Sequence, residues 1–229
     1  MADINSSSVV RDALSALHSA PSQDVRTLRG IRQQISRRLI RASPRQVLSI
    51  AGELIEHGPR WVGYELINKH RPTLVSLDLA QVERLGAGNS SWGQVDAFGT
   101  LIAGPVWLIG QIDDHAVLAW AERPDRWWRR TALVATTVLN TRSRGGAGDT
   151  RRTLAIVERL VRDRDDMVVK AVSWALRSLA PWDPQAVSRV LSEHDAVLAA
   201  RVKREVRNKL ATGLKKPRAG TTSNDRAGS

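Results

Sequence analysis

Apolar residues recur along this chain at helical spacing and almost never alternate. Val9, Val10, Ala13, Leu14 and Leu17 fall on one face behind the Ser6–Ser8 run, which offers N-cap hydroxyls. Ile31, Ile35, Leu39 and Ile40 repeat the pattern after Gly30. Ser43-Pro44 opens a further helix, with Val47, Leu48, Ala51, Leu54 and Ile55 as its apolar face. Proline suits the first helical turn because its absent N–H would be unpaired there. Pro59, Pro72, Pro105, Pro124 and Pro184 each stand before or at the start of another such stretch. The spacing predicts helices over 61–69, 75–85, 92–103, 105–111, 114–122, 125–141, 150–163, 166–179, 184–193 and 195–211. No run combines alternating β-branched and aromatic residues with hairpin turn chemistry. The expected fold class is all-α. About a dozen short helices joined by tight turns suit stacked antiparallel pairs with a repeat of roughly 35–45 residues, against an irregular bundle as the competing arrangement.

Composition narrows the classes of function. The chain has 229 residues, 42% of them hydrophobic and 25% charged, which suits one or two globular domains. It contains no Cys, which excludes a disulfide scaffold, a thiolate zinc site and a Cys nucleophile. His18, His57, His70, His115 and His194 are scattered without metal-ligand spacing. No segment is apolar for the ~18 residues of a membrane span. The Ser-rich start lacks the basic and apolar regions of a secretory signal, so a cytoplasmic protein is expected. One domain is expected over residues 1–212. Residues 213–229 read as a disordered basic and polar tail. Thr141–Asp149 is a Gly-rich basic loop without P-loop spacing.

Charge adds a partner. The net charge of +12 points to a polyanion, most simply nucleic acid, with plain solubility as the other reading. The basic residues gather in three groups: Arg26 to Arg45, Arg142 to Arg152, and Arg201 to Arg218. Each group could be a solvated helix face, but three of them suit a phosphate backbone. Arg37, Arg142, Arg144, Lys203 and Arg207 are the candidates they supply for DNA contact. The aromatics are 8 Trp, 1 Tyr and 1 Phe. Trp can fill a core, or it can stack on sugars, bases and cations.

Three stretches combine these features. In Ser90–Ala103, Ser91 can cap a helix that begins at Trp92, which places Trp92 and Asp96 one turn apart on one face. Asp96 lies in an apolar run, where a bare carboxylate is costly. Either it forms an ion pair with an Arg inside the stack, or it carries out chemistry. In Trp127-Trp128-Arg129-Arg130-Thr131-Ala132-Leu133, Trp and Arg side by side could hold a phosphate while stacking on a flat group. In Val169–Arg177, Trp174 is centred in an apolar helix face, where by itself it reads as core.

Taken together and in this order, the three stretches resemble the AlkD-type DNA alkylation repair glycosylases over roughly residues 25–212. In that family a Trp and an Asp one turn apart, a following Arg and a later Trp line a cleft. The matching positions are Trp92, Asp96, Arg130 and Trp174, with Arg129 and Trp128 beside Arg130 as further DNA-contact candidates. The resemblance implies HEAT-like helical repeats forming a curved solenoid with a basic concave cleft. It implies hydrolysis of the N-glycosidic bond of cationic N3- or N7-alkylated purines in duplex DNA, as a step of base excision repair. The backbone would be gripped without base flipping, and no metal or organic cofactor would be needed. The implied partner is double-stranded DNA with alkylated purines, bound by a monomer near the nucleoid, away from membranes. Some relatives protect cells from DNA-alkylating natural products, so general repair and self-resistance against bulky adducts both stand open. The alternatives are a non-catalytic HEAT-repeat protein that binds DNA lesions, and a helical scaffold for proteins.

Overall fold

The structure of the protein is a computed structural model, and it describes residues 5–22 and 24–216. Among these, every regular element is helical. The chain runs through α1 (Ser6–His18), α2 (Val25–Arg38), α3 (Pro44–His57), α4 (Arg60–Lys69), α5 (Arg71–Leu74), α6 (Leu79–Gly86) and α7 (Trp92–Phe98). A π-helical turn (Gly99–Ala103) leads into α8 (Gly104–Leu108), then α9 (Asp114–Ala121), α10 (Arg126–Leu139) and a 3-10 turn (Arg142–Arg144). The last helices are α11 (Thr150–Leu160), α12 (Asp166–Leu179), α13 (Pro184–Glu193) and α14 (Ala200–Thr212). No described helix is long and apolar enough to cross a membrane. The expected tail lies outside the described residues from residue 217 onward.

Helix starts follow from local chemistry. Asp24, Asp78, Asp113, Asp125, Asp149, Asp165 and Asp183 each accept a backbone N–H of the helix that follows. Ser43 and Ser91 do the same with their hydroxyls. Each cap stabilises its helix by about 1 kcal/mol. Apolar faces then stack the helices in an all-α repeat solenoid. One layer runs α2, α4, α7, α10, α12 and α14, each in contact with the next. The α1–α3–α5 and α9–α11 contacts build a second layer behind it. α10 is the central helix: every residue from Arg130 to Leu139 is buried. Trp107, Trp120, Tyr64 and Phe98 are the largest fully buried side chains of the described core.

Several ends shift from the sequence expectation, as in the helix expected over 195–211, which starts only at Ala200; two of the differences have a visible local cause. The expected helix over 75–85 starts only at Leu79, where Asp78 and Gln81 form a reciprocal capping box. The second difference bears on the site. Pro105 does not open a separate helix, because Trp92–Leu108 is one continuous run through the π turn. Gly104 N–H reaches back to the Gly99 carbonyl, five residues earlier. Pro105 has no N–H for either Leu101 O or Thr100 O. Side chains supply the missing donors: Asn68 Nδ2 to Leu101 O at 2.8 Å and Arg144 Nη1 to Thr100 O at 2.6 Å.

Glycines let this run lie close on α10. A Cβ at Gly104 would come within 2.5 Å of Val138 Cγ2 and 2.9 Å of Ala135 O. Gly104→Ala is therefore expected to destabilise the fold by about 1–3 kcal/mol. Gly30→Ala in α2, where a Cβ meets nothing within 4 Å, should instead hold or raise stability by up to about 1 kcal/mol. Thermal melts of the two variants check the contrast; equal melting temperatures would mean that the close approach on α10 is relaxed in solution.

Candidate functional site

Four elements of the first layer converge on one cavity of about 360 Å³. Ser91 caps α7, so the helix begins at Trp92 and presents Asp96 one turn later. Trp92 is 61% exposed, an unusual position for the largest apolar side chain. Arg130 from α10 and Trp174 from α12 complete the set, and all four residues line the cavity together. Its other walls are Met167, Lys170, Arg177, Arg201 and Lys215. The lining thus carries five cationic side chains and one carboxylate.

Arg130 grips that carboxylate with its fork. Nε donates to Asp96 Oδ1 at 2.8 Å and Nη2 donates to Oδ2 at 2.9 Å. Nη1 donates to the Met167 carbonyl. Arg130 is 5% exposed, whereas the Asp96 side chain keeps about 20% of its surface open. The pair is rigid and planar, and it leaves one edge of the carboxylate toward the cavity. Of the two options open to Asp96 from the sequence, the ion pair with an Arg is present. The guanidinium expected at a phosphate is engaged with Asp96 and a main-chain carbonyl.

The other cations of the cavity are all more exposed than Arg130. Lys170 and Arg201 both approach Asp166, at 2.6 and 3.3 Å, and these contacts hold the Asp166 carboxyl below its usual range. Arg177 and Lys215 approach Glu205 at 3.8 and 3.4 Å. Burial pushes the Glu205 carboxyl upward, but the Ser173 hydroxyl, Lys215 and Arg177 outweigh it and leave it ionised at lower pH than usual. Burial works against the charge on Arg177, and Glu205 partly offsets this. Lys170 and Arg177 were missed by the sequence reading, although a signal was present. Lys170, Trp174 and Arg177 sit at i, i+4 and i+7 on one face of α12.

The other expected residues lie elsewhere. Trp128 points inward: it meets Phe98 edge-on at 6.1 Å and Trp120 at 5.3 Å, with Arg123 over its ring. It is a half-buried aromatic packed against the core, because Gly86, Phe98 and Trp120 leave room for its ring. Arg129 pairs with Asp163 at 2.8 Å and donates to the Arg123 carbonyl, which braces the turn before α10. Arg37 is exposed on α2. Lys203 and Arg207 both pair with Asp195. Arg142 lies 4.8 Å over the Trp182 ring. Arg144 lines a different cavity, of about 520 Å³, on another face of α7, with Trp61, Arg29, Arg60 and Gln94. Trp107 and Trp120 are buried as packing residues, and their ring N–H groups donate to Asp114 and Glu83. Among the described residues no three His, Asp or Glu gather as a metal ligand set.

No curated protein and no solved structure matches the chain. A family model described as DNA alkylation repair enzyme matches residues 20–210. That span takes in α2 through α13 and every residue lining the Trp92–Asp96 cavity except Lys215. The chain belongs to the DNA alkylation repair enzyme family.

Proposed function

We propose that the protein is a monofunctional DNA glycosylase that hydrolyses the N-glycosidic bond of cationic N3- or N7-alkylated purines in duplex DNA. The observation that carries this reading is the single cavity shared by Trp92, Asp96, Arg130 and Trp174. Alkylation leaves the purine positively charged, so it departs as a neutral base with the electron pair of the C1′–N bond. The sugar is left with oxocarbenium character. The Asp96 carboxylate stabilises that charge and takes the proton of the water that adds to C1′. Trp92 and Trp174 present their electron-rich faces to the sugar and the cationic nucleotide. Lys170, Arg177 and Arg201 would hold the phosphates beside the lesion, and Arg130 would aim the carboxylate.

In a binding module Asp96 would serve only to neutralise the buried Arg130, while a carboxylate among five cations weakens attraction to phosphate. Chemistry on a developing cation gives the same carboxylate a second use. The exposure of Trp92 favours a sugar-facing platform at the cavity edge over the wall of an enclosed base pocket. The lesion then stays in the duplex, held by its backbone, with room for methyl groups and for bulky adducts of a self-resistance role. A monomer on the nucleoid would suffice for either role.

The test is base release from duplexes carrying N3-methyladenine, N7-methylguanine or one bulky N7-guanine adduct. Free base should appear faster than spontaneous loss, without strand cleavage. Duplex affinity should fall steeply with salt, as phosphate contacts require. No release from any of the three duplexes overturns hydrolysis and leaves the lesion-binding reading. Release of the methylated bases alone removes the self-resistance role.

A further inference from the structure

The Gly-rich loop after α10 takes no part in the reaction above, yet it is tied down at several points. Gly148 N–H donates to Leu139 O at 3.0 Å, and Asp149 N–H donates to Asn140 Oδ1 at 2.9 Å. Gly146 N–H donates to Thr141 O at 3.0 Å. A Cβ on Gly146 would overlap the Val138 and Leu139 carbonyls, so only glycine lets the loop lie on the end of α10. Gly148 has φ of +84°, and a Cβ there would sit 2.7 Å from the Trp182 ring. The loop is thus an extension of α10 with a fixed path.

That path sends one side chain back across the layer. Arg144 Nη1 donates to the Thr100 carbonyl in the π turn, one of the two acceptors that Pro105 cannot serve. The Thr100 hydroxyl in turn donates to the Asp96 carbonyl at 2.7 Å. The residue as a whole is exposed, but its hydrogen bond to Thr100 is partly buried, and that burial works against the charge on the guanidinium. α10 therefore reaches the α7 segment twice. Arg130 meets the Asp96 carboxylate, and the loop's Arg144 meets the backbone one turn beyond it.

We propose that Arg144 is a positioning residue: it fixes the π turn so that α7 keeps Asp96 seated in the fork of Arg130. This rests on the reading of Asp96 as the catalytic carboxylate. It replaces a direct phosphate contact as the role of Arg144. A carbonyl left without its donor lets the turn relax toward other registers, and displacement of a reacting group by about 1 Å can cost 100-fold in rate.

Arg144→Ala and Arg144→Lys are compared with the wild type in two measurements. The first is base release at saturating methylated duplex, alongside duplex Kd at several salt concentrations. Arg144→Ala should lower the saturated rate about 10- to 100-fold, with Kd within about twofold and its salt slope unchanged. Arg144→Lys, still able to donate to the carbonyl, should recover most of that rate. A phosphate contact would give the reverse: weaker Kd, a salt slope smaller by about one, and an unchanged saturated rate. That outcome overturns the proposal. The second measurement is amide hydrogen exchange in the free protein, which does not depend on activity. Exchange over residues 96–104 should rise in Arg144→Ala while α12 stays protected; no rise overturns the proposal. If the wild type itself releases no base, the glycosylase reading fails, and the exchange result alone decides whether Arg144 holds the turn.

Discussion

Asp96→Asn is expected to lower base release by about 10²- to 10⁴-fold while the duplex stays bound. An amide has no charge to set against a cationic sugar and cannot take the proton of the attacking water. Its effect on binding should have the opposite sign from its effect on rate. The cavity then holds five cationic side chains and no carboxylate, so affinity should equal or exceed that of the wild type. The fold loses a modest amount of stability. Asn Oδ1 can still accept from Arg130 Nε, but its amide N–H would face the Nη2 donor, so one arm of the fork is lost. With Asp96 partly open to water, that costs about 1–3 kcal/mol. Single-turnover release, Kd against salt and a thermal melt separate the three effects. Wild-type release from Asp96→Asn would remove Asp96 from the chemistry. Weakened binding with lost release would make it a structural carboxylate.

What the sequence makes legible here is what local spacing encodes. Helix existence follows from 3.6-residue periodicity, and most starts follow from Ser, Asp and Pro within one turn of the helix, α14 after Ala199 being an exception. Trp92 and Asp96 share a face by their four-residue spacing alone. Relations between helices are a different matter. Trp127 and Trp128 are adjacent and about 100° apart around α10. Only the positions of Phe98 and Trp120 decide that Trp128 is the one turned inward. Pro105 reads as a helix start because its carbonyl problem is invisible locally. The donors that solve it stand far off in sequence, Asn68 33 residues from Leu101 and Arg144 44 residues from Thr100. Arg130 likewise meets Asp96 across 34 residues, from a neighbouring helix whose register no short motif reports.

Arg130→Met is the second variant with a large expected effect, and it separates two roles that one arginine could fill. Met keeps much of the volume but removes the fork, so the Asp96 carboxylate and the Met167 carbonyl both lose their donors. Breaking a buried pair from one side costs about 3–5 kcal/mol; the solvent access of Asp96 places this case near or below the lower figure. Release should fall by at least about 100-fold, because a carboxylate free to rotate is no longer aimed at C1′. The double variant Asp96→Asn/Arg130→Met decides by what route. If Arg130 acts only through Asp96, the double variant is no slower than Asp96→Asn alone, and it regains part of the stability lost in Arg130→Met. The salt slope of binding then stays unchanged in every variant, since no phosphate contact has been removed. If Arg130 leaves Asp96 to grip the backbone once DNA arrives, the losses multiply, and the slope falls by about one wherever Arg130 is missing.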